Sequence, residues 1–333
     1  MPNERYRKID GLRVFAAMGI VLMHVQANTD FLCSGFVVEK LIPSFTNLVF
    51  LFMMISGFSM CCGYFEKYVT GTINLEQFYK KRFAKVWPYF ACLCFLELLA
   101  SPSMDTLCQV LANLTLCFGL IPNHNIEVIG VGWFLGVVFV FYFIFPFFCF
   151  LLSDKRRAWM AFAASAVLNL LCKNYFCVGR TSMAYCAVFF MAGGMMYLYR
   201  KPLEKMANIF GFAVLMGIAA ATVAYFVAGP SVIKILVLYG LVLLYGLGTP
   251  QGRFSILANS VTGFLSNISM EIYLSHMIIF RVLEKILPWK TVLSWGAGGY
   301  AFVVIGTLAG TVVLAVALQN ALAVLRKFTK RTI

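Results

Sequence analysis

The sequence predicts an all-α fold: a polytopic membrane helical bundle of about ten transmembrane helices, with one short re-entrant or interfacial helix. Three observations carry that reading. The 333 residues are 62% hydrophobic and only 12% charged, roughly half the charge of a soluble domain of ordinary composition. Mean hydropathy is +0.87. Apolar runs recur along the whole chain and leave no stretch long enough for a separate soluble domain, so residues 1–333 read as one integral-membrane domain.

The runs of spanning or near-spanning length fall at 11–28, 45–64, 83–100, 130–152, 157–172, 182–199, 207–228, 231–248, 261–283 and 292–325. A shorter run at 107–121 is ambiguous, and charge decides it. If it does not cross and the other ten do, both termini share one side. That side then holds 20 of the 27 basic residues, including Arg13, the cluster Lys80, Lys81, Arg82 and Lys85, and Lys155-Arg156-Arg157. The other side keeps Lys40, Lys173, Arg180, Lys234, Arg281, Lys285 and Lys290. Crossing by the short run would move Lys155-Arg156-Arg157 outward and weaken the bias. The positive-inside rule therefore favours a multi-pass protein of the cell membrane with both termini cytoplasmic.

The net charge of +14 is accounted for by these loops, and no nucleic-acid module is present. The basic Arg5–Lys8 patch before an apolar run is also a signal-peptide pattern. A clear small-residue cleavage site is missing, and cleavage would discard His24, so the segment reads as a retained first helix. Eleven cysteines are scattered without zinc spacing and read mainly as small buried hydrophobes. Cys172 and Cys177 flank a short loop and are the one pair placed for a disulfide, should that loop face an oxidising compartment.

Arg13 and His24 are eleven residues apart, roughly 1,100° or three turns of helix, so they share one face some 16 Å apart along the axis. The guanidinium sits near one surface and the imidazole lies deep, where ionisable groups are costly and are functional candidates. Asp10 precedes Arg13 by three residues, close enough to pair with it, and Asn28 follows His24 by four, over the same face. A neutral imidazole can take a proton from a hydroxyl or be acylated transiently; it can equally be a core histidine bonded across helices. In the late run Ser269, Tyr273 and His276 fall near one face, with Glu271 offset but at membrane depth. Glu271 could pair with a base or orient a histidine, and Tyr273 could simply pack.

Five segments together carry a resemblance. They are Ile9-Asp10-Gly11-Leu12-Arg13 with His24; Phe52-Met-Met-Ile-Ser56-Gly57-Phe58; Lys81-Arg82-Phe-Ala-Lys85-Val-Trp-Pro88-Tyr89; Gly132-Trp133-Phe-Leu135 with Tyr142 and Pro146; and Ile272-Tyr273-Leu274-Ser275-His276. In order and spacing they resemble the acyltransferase family 3 membrane proteins. Two positions depart from that pattern: Val138 stands where many members carry Glu, and Lys85 where Arg is common.

The resemblance implies an O-acetyltransferase that moves acetyl from cytoplasmic acetyl-CoA to a hydroxyl of a cell-surface polysaccharide or lipid-linked glycan. It implies His24 as general base or acyl relay, with Arg13 and Asp10 beside it in the catalytic set. It further implies Arg82, Lys85, Lys81 and Arg13 as partners of the donor phosphates, a chemistry Lys and Arg suit; the cluster alone would equally read as an orientation or lipid anchor. Trp133 becomes a candidate for stacking on a sugar, and His276, Glu271, Tyr273 and Asn28 complete the candidate acceptor site. Ser56 and Gly57 read as a close helix contact, and His124 as a loop residue that could touch acceptor. Membrane lipids are the expected surroundings, and no metal-ligand set is present. The competing reading is a transporter or flippase using Arg13, His24, Glu271 and His276 as a polar pathway. It has no inverted repeat or paired broken helices to support it.

Overall fold

Ten apolar runs become helices because buried or lipid-facing backbone must satisfy its own hydrogen bonds. The computed structural model describes residues 6–29, 31, 34–121, 128–249 and 255–329 and contains no strand among them. The helices are α1 (Arg7–Ala27), α2 (Val37–Val69), α3 (Leu75–Ala100), α4 (Met104–Leu114), α5 (Trp133–Leu152), α6 (Lys155–Asn174) and α7 (Met183–Leu198). There follow α8 (Arg200–Ile209), α9 (Gly211–Val227), α10 (Val232–Leu247), α11 (Ser260–Asn267), α12 (Ser269–Ile286), α13 (Trp289–Ser294) and α14 (Ala297–Thr329). By length and composition α1, α2, α3, α5 and α14 can each cross a membrane, and α8 with α9 makes a sixth if that bent pair is one span. The helices α7 and α10 are apolar but shorter.

Local chemistry sets the breaks. Asn74, Ser103, Asp154, Ser182 and Ser231 cap the starts of α3, α4, α6, α7 and α10 by accepting a backbone N–H, as short polar side chains do at helix starts. The 107–121 run is indeed short: α4 has eleven residues, about 16 Å, and a 3-10 turn follows at Phe118–Leu120. The 207–228 run starts at a 95° bend between α8 and α9. The 261–283 run is two helices, not one. It divides at Ile268, and a capping box between Asn259 and Thr262 starts the first half.

Packing centres on α2, α5 and α7. Phe141 stacks on Phe190 at 4.1 Å between ring centroids, and Phe50 on Phe189 at 4.2 Å. Gly57 and Gly193 let α2 and α7 meet backbone to backbone. A Cβ on Gly57 would sit 2.4 Å from the Phe190 carbonyl oxygen, and one on Gly193 2.1 Å from that of Met54. The close-contact reading of Ser56-Gly57 therefore holds for the glycine. The outer faces of α9 and α14 expose Phe212, Val223, Ile305 and Val313, as faces turned to lipid would. Cys172 and Cys177 are both free thiols, the first buried, as the main reading of the cysteines has it, and the second exposed.

The helix α2 is not regular. It contains π-helical stretches at Val37–Leu41 and Cys61–Phe65, and such wide turns often occur at functional positions. The second carries Cys62, Gly63 and Tyr64 onto the wall of the main cavity.

Candidate active site

The N-terminal halves of α1, α3, α5 and α12, the second half of α2 and the end of α11 line a cavity of about 500 Å³. Its charged wall residues are Asp10, Arg13, Arg82, Lys85 and Glu271. Three cations thus face two carboxylates, which leaves the cavity attractive to anions.

Both guanidinium groups are held in place. Arg13 donates through Nη2 to Ser59 Oγ at 3.0 Å and through Nη1 to Asp10 Oδ1 at 3.4 Å. The expected Asp10–Arg13 pair exists, and Ser59 adds a contact from α2. Arg82 donates to Tyr64 Oη at 2.5 Å, and its guanidinium lies over the Tyr64 ring at 4.4 Å and the Tyr142 ring at 5.7 Å. Guanidinium planes suit such aromatic seats. Lys85 lies within electrostatic range of Arg82, Arg13, Glu271 and Asp10. Glu271 Oε1 accepts from Gln319 Nε2 of α14 at 2.7 Å. It neither touches nor orients a histidine; its place is on the cation-rich wall.

The imidazoles lie elsewhere. His24 Nδ1 and His276 Nε2 are 2.8 Å apart, with ring centroids 5.0 Å apart and planes inclined by 17°, so the imidazoles meet edge to edge. His276 Nδ1 is 2.7 Å from the Tyr273 carbonyl oxygen. His276 is fully buried and His24 half-buried. Neither lines the cavity. On the cavity wall nearest them Phe52, Phe134 and Tyr273 pack as a trio, with centroids 5.2 to 6.1 Å apart, and the Tyr273 ring is 6.0 Å from that of His276. Tyr273 is fixed there by donating from Oη to the Val131 carbonyl at 2.9 Å. Arg13 and His24, placed on one face of α1 by their spacing, are thus not brought to one cavity: only Arg13 lines it, while the Tyr273 ring on its wall lies 6.0 Å from that of His276.

The bond pattern fixes the histidine tautomers when both rings are neutral. A carbonyl oxygen only accepts, so His276 Nδ1 carries hydrogen and its Nε2 carries a lone pair. That lone pair takes a hydrogen from His24 Nδ1. His24 Nε2 is then left without hydrogen, as a base.

Of the remaining predicted residues, Lys81 is exposed and off the cavity wall. Asn28 bonds the His24 backbone oxygen at 2.8 Å and so closes the last turn of α1, away from the cavity. Trp133 is half-buried, with the Arg180 guanidinium 5.5 Å over its ring. His124 lies outside the described residues. Sequence reasoning missed Ser59, Tyr64, Gln319 and Arg180. For Gln319 a signal existed: a polar amide inside the apolar run 292–325. For Ser59 and Tyr64 there was none, since an isolated hydroxyl in an apolar helix is ordinary.

A family model described as an acyltransferase domain matches residues 6–318, nearly the whole chain. No curated protein and no solved structure matches it.

Proposed function

The chain belongs to acyltransferase family 3, and from that premise we propose that it transfers acetyl from cytoplasmic acetyl-CoA to a hydroxyl of a surface polysaccharide or lipid-linked glycan, with His24 as the base. That it is a multi-span membrane acyltransferase follows from the family and the apolar helices. The donor, the acceptor and the role of His24 are our reading.

The single observation that carries it is the hydrogen-bond chain from the Tyr273 carbonyl through His276 to His24, which leaves His24 Nε2 as a bare nitrogen. In this reading Nε2 takes the proton of the acceptor hydroxyl. The acceptor oxygen bonds to the thioester carbonyl carbon, the carbon–sulfur bond breaks, and the imidazolium returns its proton to the departing thiolate. The products are an ester and a free thiol. The same nitrogen is the one an acyl relay would use. The donor phosphates would be met by Arg82, Lys85 and Arg13, which line a cavity on the side of the chain termini, cytoplasmic by the charge bias. Lys81 would act only as a nearby surface charge.

The test is acetyl incorporation into glycan from labelled acetyl-CoA by purified protein, with His24→Ala compared at matched protein level. A drop of about 100-fold or more is expected if the residue is a general base. Unchanged incorporation would remove His24 from the chemistry.

A further inference from the structure

At the histidine end of α1, opposite the cationic cavity, is a second pocket of about 420 Å³ lined among others by Asn47, Lys173, Arg180, Tyr185 and Ser231. Its two cations are Lys173 and Arg180, and no carboxylate lines it among the described residues. Both belong to the sparse set of basic residues on the side the charge bias leaves poor in them, so they do not act as topology anchors.

Arg180 is fixed in place. Its Nη1 donates to both the hydroxyl and the backbone oxygen of Thr46, and its guanidinium plane lies over Trp133. The loop that carries it is pinned by Val178 N–H to the Cys172 carbonyl at 2.8 Å and Ser182 N–H to the Gly179 carbonyl at 3.1 Å. A guanidinium has five N–H donors. With Nη1 committed, the Nε–Nη2 edge keeps the fork geometry that two oxygens of one anion can use. The Trp133 ring under Arg180 packs at 6.2 Å on Phe134, which packs at 5.2 Å on Tyr273, whose ring is 6.0 Å from that of His276, so a chain of rings links the pocket's guanidinium to the imidazoles.

Resting on the acyltransferase reading above, we propose that this pocket binds a phosphate group carried by the acceptor, so that the glycan is held by its phosphate while its hydroxyl faces His24. Two formal positive charges match a phosphate monoester or a diphosphate better than a single carboxylate. A forked guanidinium with a point-charge ammonium is a phosphate-binding combination. The phosphate of a membrane lipid has the same chemistry and is separated from the acceptor's by experiment.

Cys177 lines the pocket and is exposed, so its alkylation reports occupancy. The full-length protein in phosphatidylcholine nanodiscs is treated with a maleimide, and Cys177 labelling is followed by peptide mass spectrometry. Exposed Cys108 on α4 is the internal control. Glucose 1-phosphate should slow Cys177 labelling as one plus its concentration over Kd, about fourfold at three times Kd. Methyl glucoside and glucuronate should not match it. Arg180→Gln and Lys173→Gln should each weaken that protection severalfold, and the second keeps the test valid if the first misfolds. Equal protection by methyl glucoside or glucuronate, or protection that survives both substitutions, overturns the proposal. So does slowing by phosphatidylglycerol nanodiscs alone to which glucose 1-phosphate adds nothing, since the site would then be a lipid-headgroup site. The assay needs no donor. His24→Ala should therefore keep the protection while losing transfer, and the two readings fail separately.

Discussion

The two ends of α1 solve the same problem in opposite ways. At the N-terminal end, charges are kept and compensated: Arg13 has Asp10 and Ser59, Arg82 has two tyrosine rings, and Glu271 has Gln319. An open cavity lets such groups stay hydrated and still bind an anion. Near the other end, burial is deeper and the polar groups are a pair of imidazoles that satisfy each other and a backbone carbonyl. The first arrangement suits holding a charged donor, the second suits moving a proton. Substitutions at the cation end should therefore raise the KM for acyl-CoA and largely spare kcat, whereas substitutions at the imidazole end should lower kcat and leave that KM alone.

The strongest test of this division is His24→Ala, with kcat falling about 100-fold or more and donor KM little changed. A large rise in donor KM instead would merge the two ends into one site. Next comes Arg82→Ala, expected to raise donor KM about 10- to 100-fold through loss of charge-assisted hydrogen bonds. Arg82→Lys should recover only part of that, because an ammonium lacks the planar fork seated between Tyr64 and Tyr142. For His276, the comparison of Phe with Gln is informative. A glutamine can present an oxygen near the position of Nε2 and keep His24 Nδ1 bonded. We expect His276→Phe to lower kcat about tenfold and His276→Gln to restore much of it. Equal loss in both, with unchanged thermal stability, would deny His276 a positioning role. The smallest expected effect is on stability alone: Gly57→Ala must push α2 and α7 apart and should cost about 1–3 kcal/mol, read as a lower Tm with KM unchanged.

Much of this molecule can be read from its amino acids, and the unread parts have physical causes. Most apolar runs map onto a single helix because span length and hydropathy are local properties. The division of 261–283 at Ile268 did leave a signal that an averaged hydropathy run hides, the polar cluster Ser266-Asn267-Ile268-Ser269, besides the Asn259–Thr262 capping box that starts the first half. Glu271 was singled out because charge at membrane depth stands out against an apolar background, Asp10 and Arg13 by their spacing to each other and to His24, and Arg82 and Lys85 by the family resemblance of their basic cluster. Ser59 and Tyr64, which seat the guanidinium groups, carry no such contrast. The His24–His276 bond joins residues 252 positions apart, and nothing in either segment says how α12 crosses α1. That same pairing leaves both imidazoles off the cavity that Arg13 lines, although helical spacing puts Arg13 and His24 on one face.

The wide turn at Cys61–Phe65 has a consequence for how this enzyme could be altered. A π-helical turn holds one residue more than its regular counterpart, so excising a single residue there would restore ordinary winding without breaking the helix. The turns on either side would keep their faces, because the extra residue is taken up within the wide turn, whereas Tyr64 inside it would be re-aimed and would leave Arg82 without its phenol seat. A shortened chain could thus remain folded and membrane-embedded while losing the seat of one cavity guanidinium, which makes a one-residue deletion a gentler and more selective disruption than removing any charge.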